Sequence, residues 1–214
     1  MFKMCRKPVG HNVGRANGEQ GFTLTEVAIV LGIIGLILGA IWVAAAAVYT
    51  NMRTSKTTTE MLSIVQNVRA MYGTSGVVDP NADMNGFGVQ NSTGLTYIQA
   101  GIFPTDTLNA VGANATTAQD PWGGYINIKA AQNQIPNDSF QVAFDQMPKQ
   151  ACISLITGST GTGKDPGLIG VATGAVGTVP TPVSNTTMPV PASTAQNTHC
   201  TEDTQAVGFT FTLK

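Results

Sequence analysis

The chain has 214 residues, enough for one ordinary domain and a further segment, and only 11% of them are charged, against roughly 25% in an average soluble protein. The formal net charge of -1 hides an asymmetry: Lys3, Arg6, Lys7 and Arg15 precede Gly21 against one acid, Glu19, and setting these aside from totals of 11 basic and 12 acidic residues leaves 7 and 11. What remains has no basic patch to support nucleic-acid binding, and its weakly charged, Thr-, Asn- and Gly-rich composition is not that of a cytosolic enzyme.

From Val27 to Val48 no residue is charged. This run of about 22 residues makes roughly 33 Å of helix at about 1.5 Å per residue, which matches the roughly 30 Å hydrocarbon core of a bilayer. A buried soluble helix is a poor alternative, because the run is apolar on every face and about twice the average helix length. A secretory signal places its apolar core before a small-residue cleavage site. Here the order is reversed: the basic stretch and Gly21 come first, and a cut at Gly21 leaves the apolar helix on the mature chain. The basic residues hold the upstream end in the cytoplasm.

Gly21-Phe22-Thr23-Leu24-Thr25-Glu26, followed at once by a membrane-length helix, resembles the class III signal of type IV prepilins. The leader of 21 residues is similar to the longer leaders of the type IVb class, although Phe at the mature first position is commoner in type IVa. The chain is most like the type IVb major pilins of enteric bacteria and conjugative plasmids. The resemblance implies that a prepilin peptidase cuts after Gly21 and methylates the new amine of Phe22. It also implies an α+β type IV pilin fold, with a long N-terminal helix packed on an antiparallel sheet. The expected role is structural, a subunit polymerised with copies of itself into an extracellular filament for adhesion, aggregation or mating-pair contact, with no enzymatic activity, cofactor or metal. An assembly platform and an outer-membrane pore are the further partners implied. The precursor is expected in the inner membrane, with its leader cytoplasmic and its C-terminal domain periplasmic. A minor pilin, a type II secretion pseudopilin and a membrane-anchored enzyme or receptor domain are the rival readings.

Glu26 has two readings. Cleavage exposes the Phe22 amine four residues away on the same helical face, so the carboxylate satisfies its own N-terminus and the positive end of the helix dipole. Alternatively it meets the Phe22 amine of a neighbouring subunit in the filament core, where an unpaired charge is costly enough to select one axial register. In the second reading Glu26→Val or Glu26→Ala spares cleavage and abolishes filaments. Gly32, Gly35 and Gly39 include a GxxxG match that reads equally as a close-packing face and as ordinary membrane-helix composition.

Beyond Tyr49, Met52, Met61, Leu62, Ile64, Val65, Val68, Met71 and Tyr72 keep helical spacing, with Arg53, Lys56, Glu60 and Arg69 on the other face. One helix from Phe22 to about Met71 is therefore expected, ended by Gly73-Thr-Ser-Gly76. Val77 to about Pro121 resembles the variable loop that joins pilin helix to pilin sheet. Strands are expected at Tyr125–Lys129, Phe140–Phe144, Leu168–Ala172 and Val207–Leu213, the last alternating apolar and polar residues, with a short helix from Met147 that has Pro148 near its start. The implied divisions are a leader at 1–21, a transmembrane or filament-core helix at 22–49, a helix continuation at 50–75 and a head at 76–214.

Cys5 lies in the leader, which leaves Cys152 and Cys200. An even pair beyond a membrane segment most simply forms one disulfide, here closing a Pro-rich loop of about 47 residues. A zinc site at His199 and Cys200 lacks paired ligand spacing, and His199 is expected to be exposed. Gly158-Ser-Thr-Gly-Thr-Gly163-Lys164 fits the phosphate-binding pattern, but Asp165 and Pro166 follow where Ser or Thr should open a helix, so the stretch reads as a flexible surface loop.

Overall fold

The computed structural model describes residues 22–79, 97–110 and 117–214. Gly21, Cys5 and the rest of the leader lie outside the described residues, as do parts of the 77–121 loop. Two compact units divide the chain, Met1–Ala45 and Ala46–Lys214.

The first helix, α1, runs Leu24–Tyr72. Its Thr-rich stretch is a poor intrinsic helix former, because β-branched side chains lose rotamer freedom. The hydroxyls of Thr50, Thr54, Thr57, Thr58 and Thr59 each donate to the carbonyl four residues back, so no polar group is stranded as the helix passes through. Further along, Thr57, Glu60, Met61, Ile64, Val65, Val68 and Tyr72 form a buried stripe at three- and four-residue spacing.

That stripe faces a four-stranded antiparallel sheet of order β1-β2-β4-β3, built from β1 (Ile126–Ala131), β2 (Ser139–Pro148), β3 (Leu168–Gly174) and β4 (Thr204–Thr212). Register puts Phe140 opposite Phe211, Val142 opposite Phe209 and Phe144 opposite Val207, with Ile126 and Ile128 on the same face from β1. These residues are fully buried with Ile64, Val65 and Val68, at roughly 1.5–3 kcal/mol for each large side chain. On the opposite face of β4, Gly208 and Thr210 are also buried, and the Gln141 side chain lies where a Cβ on Gly208 would stand. The alternation visible in β4 therefore separates two covered faces rather than core from solvent.

The expected helix after Met147 is longer than its apolar signal. It forms α2, Lys149–Thr160, with Pro148 at its N-cap. Gly158, Ser159 and Thr160 thus belong to a helix end rather than to the expected loop, and the turn that follows is held at Asp165. The partner there is Arg69, placed by sequence spacing on a polar face but instead only about a quarter exposed. Its guanidinium makes two 2.8 Å bonds to the Asp165 carboxylate, and its Nε donates to the Thr212 carbonyl at 3.1 Å. Gly167 sits beneath this fork, where a Cβ would lie 2.1 Å from the guanidinium. One side chain thereby ties α1, the α2–β3 turn and the end of β4 together.

Glu60 is the second departure from the expected polar face. It is 5% exposed, with one carboxylate oxygen 3.4 Å from Lys56 Nζ and the other buried with no hydrogen-bond partner among the described residues. Lys56 also reaches Asp106 at 3.3 Å. Nearby, Asp120 accepts the backbone N–H groups of Trp122 and Gly124 on one oxygen, and the other is buried with no partner among the described residues. Burial pushes both carboxyls up to about 7, with Lys56 pulling Glu60 back only in part.

Two predictions follow from these contacts. Arg69→Ala and Asp165→Ala should each destabilise the head by about 2 kcal/mol, and the double variant by little more than either, in urea unfolding of the full chain in detergent. The Arg69 guanidinium holds Asp165 below the usual carboxylate range, so this stabilisation is complete above about pH 4 and is lost as pH falls through the depressed folded value. Glu60 and Asp120 act with opposite sign: their raised folded values mean that stability declines as pH rises from about 4 towards 7. Unfolding free energies across that window should fall less steeply in Glu60→Gln.

Candidate functional site

At its start, α1 presents the Thr23-Leu-Thr-Glu26 sequence in a defined geometry. The backbone N–H of Thr23 donates to Glu26 Oε2 at 3.0 Å, the Thr23 hydroxyl donates to the same oxygen at 2.9 Å, and the Glu26 N–H donates back to Thr23 Oγ1 at 3.3 Å. This is a capping box: a threonine and a glutamate three residues later satisfy each other's backbone donors, which the first turn of a helix otherwise leaves unpaired. The sequence expectation pairs Glu26 with an amine; the bond to Thr23 is a further role, and the T-x-x-E spacing is its signature in the sequence. Glu26 Oε1 takes no hydrogen bond from a described residue, so half of the carboxylate remains available.

Phe22 is 86% exposed, and from Val27 to Tyr49 the large apolar side chains are all exposed, Trp42 at 79%. An apolar surface this long on a soluble monomer marks a membrane or partner contact. Its length and composition suffice to cross a bilayer, and none of the apolar window is buried by the chain itself. A Cβ added at Gly32, Gly35 or Gly39 would meet nothing within 4 Å, so the small-residue face has no partner among the described residues.

At the other end, Cys152 of α2 and Cys200 form a disulfide with Cα atoms 6.0 Å apart. Both thiols are consumed, which removes the thiolate that a zinc reading of His199 and Cys200 required. His199 is half-buried rather than exposed, and burial pushes its imidazole below the ordinary value. Gln205 at the start of β4 is buried against the bridge and donates to the His199 carbonyl at 2.6 Å. The enclosed Pro-rich stretch is also anchored. Thr186 donates its N–H to Ile169 and accepts from the Val171 N–H, while the Val183 carbonyl occupies the space that a side chain on Gly170 would need. These bonds pair the exposed edge of β3 and so cover an otherwise open strand.

A long N-terminal helix whose second half packs on a four-stranded antiparallel sheet, with a disulfide behind it, is the architecture of a type IV pilin. The profile of the PilS family, described as PilS N terminal, matches residues 51–212, and the chain belongs to that family. The prokaryotic N-terminal methylation motif matches residues 16–42, a span that includes Gly21, Phe22 and Glu26. Among solved structures, the type IVb pilin from Salmonella typhi is similar at 22% identity over 74% of this chain and 97% of that chain, with a TM-score of 0.45. TcpA, a type IV pilin from Vibrio cholerae El Tor biotype, is similar at 15% identity over 74% of this chain and 98% of that one, with a TM-score of 0.46. No curated protein sequence matches.

Replacing Cys152 and Cys200 together with serine should lower head stability by about 2–4 kcal/mol, the range for closing a long loop. Thermal unfolding under oxidising and reducing conditions checks this: the wild-type transition should shift on reduction and the double variant should not respond.

Proposed function

We propose that this chain is the structural subunit of a type IVb pilus. Residues 1–21 are a leader removed by a prepilin peptidase after Gly21, and Phe22 becomes the methylated mature N-terminus. Residues 22–49 hold the precursor in the inner membrane, with the leader cytoplasmic and the head periplasmic, and then enter the filament core. Residues 50–75 and 76–214 form the packed helix and the head that the filament displays. The observation that carries this reading is the methylation motif lying on an exposed, uncharged helical run that continues into a pilin head. Adhesion, aggregation and mating-pair contact are the roles such a displayed head serves, and the assembly platform and outer-membrane pore are its remaining partners.

In this reading Glu26 works twice. Its Oε2 closes the capping box within the chain, and its Oε1 is left to receive the Phe22 amine of a neighbouring copy as the filament grows. The water-poor helix bundle of a filament core makes an unpaired carboxylate costly, so a subunit out of register is disfavoured.

Mass spectrometry of the mature protein tests the proposal. A chain that begins at Phe22 and carries one added methyl group is expected, and an intact leader overturns it. Charge and capping are separable at Glu26, because glutamine also completes a capping box. Both Glu26→Gln and Glu26→Ala should be cleaved normally and yield no sheared filaments. Normal filaments from Glu26→Gln would reduce the residue to a helix cap.

A further inference from the structure

Just past the apolar run, three side chains converge at the margin of the core: Trp122 packs against it, and Tyr49 and Arg53 lie outside it. Tyr49 directly follows Val48, and Arg53 is one turn further along α1. Side chains on a helix lean towards its N-terminus, and Arg53 does so: its guanidinium carbon lies 4.2 Å above the Tyr49 ring and its Nη2 donates to the Tyr49 hydroxyl. On another side, the Trp122 ring centre is 5.6 Å from the same carbon. Trp122 is held in place by its Nε1–H, which donates to Thr57 Oγ1 at 3.0 Å. The cation is thus bracketed by two aromatic rings, with Tyr49 56% exposed and Arg53 and Trp122 each half-buried.

The neighbouring cation is differently placed. Lys56 is neutralised by Glu60 and Asp106, whereas Arg53 has no carboxylate partner among the described residues. Helical rise sets the Arg53 Cα about 7.5 Å beyond Val48, and the backward lean returns its charge by about a turn. The polar layer of one leaflet is roughly 5–8 Å thick, so the guanidinium, about 2 Å beyond Val48, falls inside that layer and within reach of the lipid phosphates. Tyr and Trp are the side chains that favour that depth, and a guanidinium fork matches a phosphate.

We propose that Tyr49, Arg53 and Trp122 form a phospholipid-headgroup contact, in which Arg53 binds the phosphodiester of an anionic lipid and seats the head on the outer surface of the inner membrane before assembly. The proposal rests on the membrane-anchor reading of residues 22–49. A single unpaired cation between interfacial aromatics complements an anionic lipid surface.

The test uses the full chain with Trp42→Phe, which leaves Trp122 as the one tryptophan, in vesicles of phosphatidylethanolamine and phosphatidylglycerol. The lipids carry a nitroxide either at the headgroup or deep in the acyl chain. Trp122 fluorescence should be quenched several-fold more by the headgroup probe than by the deep probe. Arg53→Gln, or replacement of phosphatidylglycerol by a zwitterionic lipid, should remove most of that difference. Weak quenching by both probes, or a difference insensitive to Arg53→Gln, overturns the proposal. The companion chain with Trp122→Phe retains Trp42: strong deep quenching there shows the span inserted, and its absence overturns the anchor reading instead. Should Trp122 stay unquenched in vesicles while Arg53→Gln abolishes filaments, the cation serves a neighbouring subunit and the lipid assignment falls.

Discussion

A single helix has to satisfy two solvents with one unbroken hydrogen-bond ladder. Between its two ends the helix Leu24–Tyr72 keeps its backbone bonds within itself, which is the condition a segment must meet to cross a bilayer and also the condition for stacking in a dry bundle. Only the side chains change along its length. The first half offers apolar groups in every direction, and the described residues supply nothing to cover them. The second half narrows to one stripe, and the sheet covers that stripe. Both the capping box at one end and the Arg69 fork at the other follow from this arrangement. A helix with one exposed end and one packed end needs its first turn closed from within and its last turns fixed to the head.

The fixings between the second half of the helix and the head are of two sorts. Arg69 contacts the α2–β3 turn and the last strand together, while Lys56 pairs with Glu60 one turn along the same helix and with Asp106. The two sets differ in kind. The first is a satisfied bidentate pair with both partners fixed. The second leaves Glu60 Oε2 buried with no hydrogen bond from a described residue, a cost the fold tolerates beside a hydrogen-bonded Trp122.

Much of this was legible in the sequence, because the elements are periodic and their neighbours are local. The long helix ends one residue from its expected terminus, and all four strands lie where β-branched and aromatic alternation placed them. The misreadings share a cause. Arg69, Glu60 and Asp165 are charged, and spacing alone assigns charged residues to water; partners 96 residues away, as for Arg69 and Asp165, leave no trace in a periodic pattern. The turn after Thr160 is a like case, since its Gly and Thr content gives no sign of the Asp165 contact. Thr23 differs, because its T-x-x-E signature is local and legible, whereas an acid beside an apolar run points first to a charged partner.

The strand order β1-β2-β4-β3 puts β4 between two strands that precede it. Neither β2 nor β3 has its full set of neighbours, and Arg69 has no Thr212 carbonyl to reach, until residues 204–212 are in place. The two outer halves of the sheet meet only through β4, so a chain cut before Thr204 exposes bare strand edges to proteolysis. Closing the sheet and fixing the end of α1 thus wait on the same nine residues.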